Sequence, residues 1–219
     1  MIQGAIFDLD GTLLDSMYIW DGIGEAYLRS IGFEPKENLC ETFRSMSLYQ
    51  AACYCRSEYG VPLSVQEIMD GVNKMVERYY SDEVQLKFGI KELLKELYHR
   101  GVKMCIATAT ERNQVEAALK RCGVLHYFTE IFTCTSVGYG KDNPSIYREA
   151  LKHLGTEKTK TVVFEDAEYA LITAKADGFV TVGVYDEHEK NQDSVKNLAD
   201  FYMSNYCEIN DFLEYAKSF

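Results

Sequence analysis

The sequence predicts an α/β fold in which a parallel β-sheet carries helices on both faces and a helical domain is inserted after the first strand. Short apolar runs alternate with longer segments of helical periodicity along most of the chain. This alternation is typical of βαβ units. Only the stretch 16–84 departs from it, because its apolar residues recur with helical spacing throughout. The length of 219 residues suits one large domain or two unequal ones.

The predicted strands are short apolar runs, as expected for strands buried within a sheet. Five of them span 5–7, 102–107, 130–134, 161–164 and 179–184, and the run 201–203 is a candidate sixth. Segments of helical periodicity lie between the later strands and after the last one, at 90–100, 112–122, 145–153, 168–176 and 208–216. Because strands and helices alternate in this way, we expect the strands to pair in parallel.

The inserted stretch is predicted to be all-helical. Its helices span 18–31, 47–59 and 64–80. Gly32 and Gly60 follow the first two, and glycine commonly ends a helix in this way. Ser64 and Glu67 form the sequence pattern of a capping box at the start of the third helix.

The predicted organisation is therefore a sheet domain made of residues 1–14 and 85–219, with a helical cap domain at 15–84. The insertion follows the carboxyl end of the first strand. Open α/β sheets bind ligands at the carboxyl ends of their strands, so we expect the cap to lie over a binding site.

Composition limits the classes of partner. The formal net charge of −11 argues against binding to nucleic acid or to an anionic membrane, since both require a positively charged surface. No apolar stretch is long enough to cross a membrane. The run 2–7 is too short for a signal peptide, and the seven cysteines are irregularly spaced. These features favour a reduced, cytoplasmic protein whose thiols serve as small core residues.

Two carboxylates follow the first predicted strand, in the run Asp8-Leu9-Asp10-Gly11-Thr12. The alternation of side chains along an extended backbone puts Asp8 and Asp10 on the same side. Like charges this close repel unless a cation lies between them or one is protonated. Mg²⁺ prefers oxygen ligands, and a carboxylate can also act as a nucleophile towards phosphate. The alternative is a polar turn in which both side chains cap loop amides.

This run resembles the first motif of the haloacid dehalogenase superfamily of phosphatases. The sequence is similar to the branch of that superfamily that includes β-phosphoglucomutase and phosphoglycolate phosphatase. The resemblance implies a Rossmann-like core with a helical cap, Mg²⁺ as cofactor and a covalent phosphate on Asp8. Three later motifs of the family lie at strand ends, and matching residues occur in the expected order.

The second and third motifs supply groups that would hold the phosphate. The second is a hydroxyl residue ending a strand, matched by Thr108, and the resemblance implies that this hydroxyl and the amide of Ala109 hold phosphoryl oxygens. The third is a lysine shortly before a helix, matched by Lys141. The family often has proline and aspartate where this chain has Asp142 and Ser145. Lys141 would neutralise the nucleophile and the phosphate together.

The fourth motif is the acidic pair Glu165 and Asp166, after the predicted strand 161–164. The resemblance implies that Asp166 completes a magnesium site with the Asp8 carboxylate and the Asp10 carbonyl. Glu165 would lie beside the ion or hold a metal-bound water. The alternative for an isolated pair is an acidic helix start favoured by the helix dipole.

The mechanism implied by the resemblance is a double displacement. Asp8 attacks the phosphorus of a small phosphorylated metabolite, such as a sugar phosphate. Asp10 protonates the leaving alcohol and then activates the water that hydrolyses the intermediate. Further candidates for substrate binding are Ser16, Trp20, Arg44 and Arg112. For each of these four, the alternative is an ordinary core or solvated side chain.

Two other functions remain as alternatives: a β-phosphoglucomutase-type mutase and a non-catalytic phosphate-binding protein. A mutase of this branch has a histidine in the first cap helix and cationic residues in the cap loop and after the second motif. This chain has Trp20, Leu48 and Glu111 at those places, which favours a hydrolase. The fold alone would permit a binding protein, but every polar group that the chemistry needs is present.

Overall fold

The computed structural model describes residues 2–44, 46 and 48–219, and it contains two β-sheets. The strands in chain order are β1 (Gly4–Phe7), β2 (Leu14–Asp15), β3 (Gln85–Leu86), β4 (Lys103–Thr108), β5 (Ile131–Thr133), β6 (Thr161–Glu165), β7 (Val180–Val184) and β8 (Phe201–Met203). Six of them form a parallel sheet in the order β5-β4-β1-β6-β7-β8, while β2 and β3 form a separate antiparallel pair.

The described α-helices number eleven. In chain order they are α1 (Met17–Ser30), α2 (Leu39–Arg44), α3 (Leu48–Tyr59), α4 (Val65–Arg78), α5 (Ile90–His99), α6 (Arg112–Arg121), α7 (Cys134–Val137), α8 (Ser145–Leu154), α9 (Glu168–Ala176), α10 (Gln192–Leu198) and α11 (Ile209–Tyr215). The first four lie in the inserted stretch, and the rest alternate with strands or follow the last one. The α/β fold with a parallel sheet and a helical insertion, as predicted from the sequence, is confirmed.

The first strand occupies the centre of the sheet. Phe7 at its end is in register with Ile106 of β4 on one side and with Phe164 of β6 on the other. The rings of Phe7 and Phe164 stack with their centroids 4.3 Å apart. Because neighbouring parallel strands end at the same edge of a sheet, the residues that follow β1, β4 and β6 are brought together.

Helix α8 shows how the layers pack. Its buried residues recur at helical spacing, namely Ile146, Tyr147, Ala150 and Leu154. They form one apolar cluster with Ile6 of β1 and Val163 of β6. The helix is thereby fixed against the centre of the sheet, and its first turn lies near the strand ends.

The contacts divide the chain into two compact units, Met1–Asp15 with Val84–Phe219, and Ser16–Glu83. The helical unit contains α1 to α4, and the fourth helix begins with the capping box formed by Ser64 and Glu67. These bounds differ by one residue at each end from the domain limits given by the sequence. The role of the helical unit as a cap stays a prediction.

Several short elements were not predicted from the sequence. They are α2, α7, α10 and the pair β2–β3. Each has seven residues or fewer, and so short a segment shows a period only where its flanking residues extend the pattern, as they do for α11. The paired strands β2 and β3 lie next to the two points in the sequence, 15/16 and 83/84, at which the chain passes from one unit to the other.

Two further expectations concern the thiols and the membrane. All seven cysteines are free. Within the described ranges, no helix combines the length and the apolar character that a membrane span requires.

Candidate active site

Three acidic residues meet at the carboxyl ends of the two central strands. Asp8 directly follows β1, Glu165 is the last residue of β6, and Asp166 comes next. All three are buried, with Glu165 fully so and Asp8 only 7% exposed. One carboxylate oxygen of each lies within 4.8 Å of the others. The pairing of β1 with β6 is what brings these distant parts of the sequence together.

Lys141 supplies positive charge to this cluster. Its ammonium group is buried and donates hydrogen bonds to the Asp8 carboxylate and to Glu165 Oε1, the latter at 2.6 Å. A compact turn ahead of α8 places the lysine: Asn143 N donates to the Gly140 carbonyl, and Asn143 Oδ1 accepts from the amide and hydroxyl of Ser145. Ser145, which departs from the family pattern, therefore has a local role in ordering the loop.

Glu165 has different surroundings at its two oxygens. Oε1 accepts from Lys141 and also from the hydroxyl of Tyr147, at 2.8 Å. Oε2 is buried and has no hydrogen-bond partner. Among the described residues, two buried side-chain oxygen or nitrogen atoms lack a partner, and this is one of them. A buried carboxylate oxygen without a donor is costly, so this atom is a natural place for a further ligand. Tyr147 was not identified as a site residue from the sequence, although it lies six positions after Lys141.

The loop after β1 holds the third acid. Thr12 donates from its hydroxyl to Asp166 Oδ1 over 2.7 Å, and its carbonyl accepts from the hydroxyl of Tyr206. Gly11 adopts a φ of 79°, and a Cβ atom at this position would lie 2.3 Å from Asp166 Oδ2. Only glycine therefore allows the loop to pass this close to the carboxylate. Sequence reasoning placed Thr12 in the first motif without giving it a role, and it did not single out Tyr206.

Asp10, the second aspartate of the first motif, contacts the loop that follows the neighbouring strand β4. Thr110 donates from its hydroxyl to Asp10 Oδ2 over 2.5 Å. The Thr110 amide donates in turn to the hydroxyl oxygen of Thr108, at 3.0 Å. Ala109, between these threonines, is exposed. Thr110 is a residue that sequence reasoning missed, and its only signal was the repeated threonine in Thr108-Ala109-Thr110.

The electrostatics of the cluster show an excess of negative charge. Burial raises the pKa of Asp8 to about 7, with Glu165 adding to the effect and Lys141 opposing it. Burial, Asp8 and Glu165 likewise raise the pKa of Asp166 well above its usual range. Burial disfavours the charged form of Lys141, but Asp8 and Glu165 outweigh it and raise the pKa of the ammonium group. One cation is thus insufficient for three buried acids.

These features fit a hard divalent cation. The donor set consists of oxygen atoms from Asp8, Glu165 and Asp166, close enough to share one ion. Such ions are commonly held by one or two carboxylates together with phosphate oxygens and waters. The unpartnered Glu165 Oε2 and the raised pKa values of Asp8 and Asp166 both favour the binding of a further positive charge.

Arg112, a candidate for substrate binding, has no described contact with the acidic cluster of Asp8, Glu165 and Asp166. Arg112 donates to Glu130 at 2.5 Å and to the Ile131 carbonyl, pairs with Glu116 at 3.4 Å, and its side chain is half exposed. Its predicted role in substrate binding gains no support from these contacts and stays a prediction.

Three candidates lie in the helical unit. Ser16 is buried just before α1, and the Trp20 indole donates to the hydroxyl of Tyr80 at 3.2 Å. The side chain of Arg44, and the neighbouring Ser45 and Ser47, fall outside the described residues. Their roles towards a substrate stay predictions.

Comparisons with known proteins bear on the class of this site. The family model for haloacid dehalogenase-like hydrolases matches residues 5–184. Validoxylamine A 7'-phosphate phosphatase of Streptomyces hygroscopicus subsp. limoneus is 28% identical over 86% of this chain and 88% of its own length. Hexitol phosphatase B of Escherichia coli strain K12 is 25% identical over 95% of this chain and 94% of its own.

A solved structure has the same fold as this chain. The crystal structure of CbbY from Rhodobacter sphaeroides, in complex with phosphate, superposes with a TM-score of 0.83 over 95% of this chain and 96% of that one, at 24% identity. The family match and the fold together define a hydrolase with a parallel-sheet core. The chain belongs to the haloacid dehalogenase-like hydrolase family. The family is as predicted from the motifs, and the β-phosphoglucomutase-like branch stays a prediction.

Proposed function

We propose that this chain, a phosphatase of the haloacid dehalogenase-like family, hydrolyses a small phosphomonoester such as a sugar phosphate with Asp8 as the nucleophile. The observation that carries the proposal is the buried cluster in which Lys141 bridges Asp8 and Glu165, with Asp166 alongside. A carboxylate can form a covalent phosphoenzyme, while a fixed cation and acidic residues that hold a metal ion stabilise charge on the transferred phosphoryl group.

Asp8 is the proposed nucleophile because its carboxylate follows the central strand and contacts Lys141. The ammonium group favours the ionised form of Asp8 that can attack phosphorus. It also attracts the anionic phosphoryl group to the same place. Attack would form a bond from a carboxylate oxygen of Asp8 to phosphorus as the bond from phosphorus to the ester oxygen breaks.

Asp10 is the proposed acid and base. It would give a proton to the departing ester oxygen, and then take a proton from the water that attacks the phosphorus of the phosphorylated Asp8. In that second step the bond from the Asp8 oxygen to phosphorus breaks, which frees Asp8 and releases inorganic phosphate. One group can perform both tasks because the second half-reaction reverses the proton transfer of the first. Asp10 lies two residues after Asp8, in the loop that follows β1.

The Asp8, Glu165 and Asp166 carboxylates would hold Mg²⁺, with the Asp10 carbonyl as a further ligand. When bound, this ion supplies positive charge that stabilises the charge developing on the phosphoryl oxygens. Lys141, the Thr108 hydroxyl and the Ala109 amide would bind and orient the remaining phosphoryl oxygens. The charge excess at the cluster and the buried Glu165 Oε2 support this assignment.

The substrate class rests on the relatives. The two related proteins named above are, by name, phosphatases of a validoxylamine phosphate and of hexitol phosphates. The net charge of −11 disfavours a polyanionic partner such as nucleic acid. A small phosphorylated metabolite is therefore the proposed partner, and the particular ester is to be found by assay.

The test is a phosphatase screen over sugar phosphates, nucleotides, short phospho-acids and p-nitrophenyl phosphate, with Mg²⁺ and with a chelator. We expect turnover that requires the metal, and a loss of at least about 10²-fold in Asp8→Asn. Asp193→Asn, the same change at an exposed aspartate, serves as the matched control. Tight binding of a phosphate ester without turnover would instead support the binding protein, and conversion of one sugar phosphate into its isomer would support the mutase.

A further inference from the structure

A hydrogen bond joins the loops that follow the neighbouring strands β1 and β4. The Thr110 hydroxyl donates to Asp10 Oδ2 over 2.5 Å, although the two residues are 100 positions apart in the sequence. We propose that Thr110 is a positioning residue, which orients Asp10 for proton transfer to and from the ester oxygen. This inference rests on the proposed function, because it requires Asp10 to be the acid and base.

Thr110 is itself well fixed. It is 5% exposed, and its backbone amide is held by the hydroxyl oxygen of Thr108 at 3.0 Å. A β-branched side chain has few accessible χ1 rotamers, so a buried threonine presents its hydroxyl in a defined direction. Thr110 can therefore act as a rigid support for the more exposed Asp10.

Thr108 and Thr110 have separate roles in this hydrogen-bonded loop. The Thr108 oxygen accepts from the Thr110 amide, so the Thr108 hydroxyl proton is directed to another acceptor, such as a phosphoryl oxygen. The Thr110 hydroxyl proton is directed to Asp10. One residue would thus serve the phosphate and the other the proton transfer.

Holding one carboxylate oxygen constrains the other. The bond to Oδ2 restricts rotation of the Asp10 carboxylate about χ2, which fixes the direction of Oδ1. General acid catalysis depends on such placement, and a misplacement of about 1 Å can cost on the order of 10²-fold in rate. Without the Thr110 hydroxyl, Asp10 would keep its chemistry but lose this constraint on the orientation of its carboxylate.

The experiment compares two leaving groups in Thr110→Val and Thr110→Ser. Valine keeps the shape and removes the hydroxyl, whereas serine keeps the hydroxyl. The substrates are p-nitrophenyl phosphate, whose alcohol leaves readily without a proton, and the alkyl phosphate that the wild type hydrolyses fastest. The measured quantity is kcat/KM, which for a double displacement reports only the first half-reaction. The ratio of the two kcat/KM values does not depend on the folded fraction.

We expect Thr110→Val to lower kcat/KM for the alkyl phosphate by about 10- to 100-fold more than for p-nitrophenyl phosphate. We expect Thr110→Ser to restore the wild-type ratio to within a few-fold. An equal loss for both substrates, or no loss for either, would overturn the inference, since the bond would then be only structural or without effect.

Asp10→Asn separates this inference from the proposed function. If Asp10 is the acid, its loss must lower the alkyl rate more than the aryl rate, and by more than Thr110→Val does. A normal ratio in Asp10→Asn would contradict the proposed role of Asp10 itself. A changed ratio in Asp10→Asn together with a normal ratio in Thr110→Val would contradict only the role of Thr110.

Discussion

At the scale of single residues, the site is governed by the cost of burying charge. Three acids share one lysine, and the pKa of Asp8, raised to about 7, shows that burial together with Glu165 outweighs the attraction of Lys141. An uncompensated buried carboxylate costs several kcal/mol in real proteins. The cluster is therefore poorly suited to structural stability alone, which favours its use as a binding site for a cation and a phosphate.

The same scale shows what the sequence could and could not indicate. Asp8, Asp10, Lys141 and the acidic pair were visible because they match the motifs of the family in order along the chain. The hydrogen bonds that Thr12, Tyr147 and Tyr206 donate were not, because they join groups that come close only in the fold. A neutral hydroxyl in a sequence gives no sign of which distant acceptor it will meet.

Replacement of Gly11 by alanine is expected to lower both stability and activity. Gly11→Ala would combine a left-handed φ of 79° with a Cβ atom 2.3 Å from Asp166 Oδ2. We expect a cost of about 1–2 kcal/mol from the backbone and, in addition, a large loss of phosphatase activity because the Asp166 carboxylate must move. Stability is measured by chemical denaturation and activity with p-nitrophenyl phosphate.

Gly123→Ala is the matched control for this prediction. Gly123 has a φ of 74°, and a Cβ atom added to it would meet no heavy atom of the described residues within 4 Å, apart from its own chain neighbours. The backbone cost should be similar, but activity should remain near that of the wild type. Similar activity in the two variants would show that the contact between Gly11 and Asp166 is unimportant.

At the scale of elements, the parallel strands were the most predictable part of the chain. Their apolar runs are short and bounded, and the order of motifs along the chain matches the strand ends. The helices α5, α6, α8 and α9 followed from their periodicity. The pair β2–β3 and the helix α7 could not be found, because two to four residues carry no recognisable period and depend on tertiary contacts.

Pairing between elements explains the site better than any element alone. The order β4-β1-β6 places three strand ends side by side, and the turn before α8 adds the lysine. The sequence indicated that these strands exist but not that β1 would be central. That position follows from long-range packing, such as the stacking of Phe7 on Phe164.

At the scale of the whole molecule, the acidic cluster couples folding to pH and to metal. Asp8 and Asp166 have raised pKa values in the absence of an ion, chiefly because they are buried. Between the usual aspartate pKa and these raised values, the folded state binds more protons than the unfolded state. Stability contributed by Asp8 is therefore present at low pH and is lost as the pH rises through about 7, and that contributed by Asp166 is lost as the pH rises through its own raised pKa.

This coupling predicts the response to magnesium. A metal ion competes with protons for the same carboxylates, so Mg²⁺ should raise the melting temperature more at about pH 8 than at about pH 5.5. The measurement is thermal unfolding of chelator-treated protein, with and without Mg²⁺, at both pH values. Asp166→Asn should lose most of the Mg²⁺ effect. An equal effect of Mg²⁺ at both pH values, or an unchanged effect in the variant, would place the ion elsewhere.

Trapping the covalent intermediate tests most directly whether Asp8 is the nucleophile. Asp10→Asn, which would lack the base for the second half-reaction, is mixed with Mg²⁺ and p-nitrophenyl phosphate carrying a radiolabelled phosphate, then quenched in acid and digested. We expect label on the peptide that contains Asp8, and none in the double variant that also carries Asp8→Asn. Label on another residue, or p-nitrophenol release by Asp10→Asn without any labelled protein, would contradict this role of Asp8.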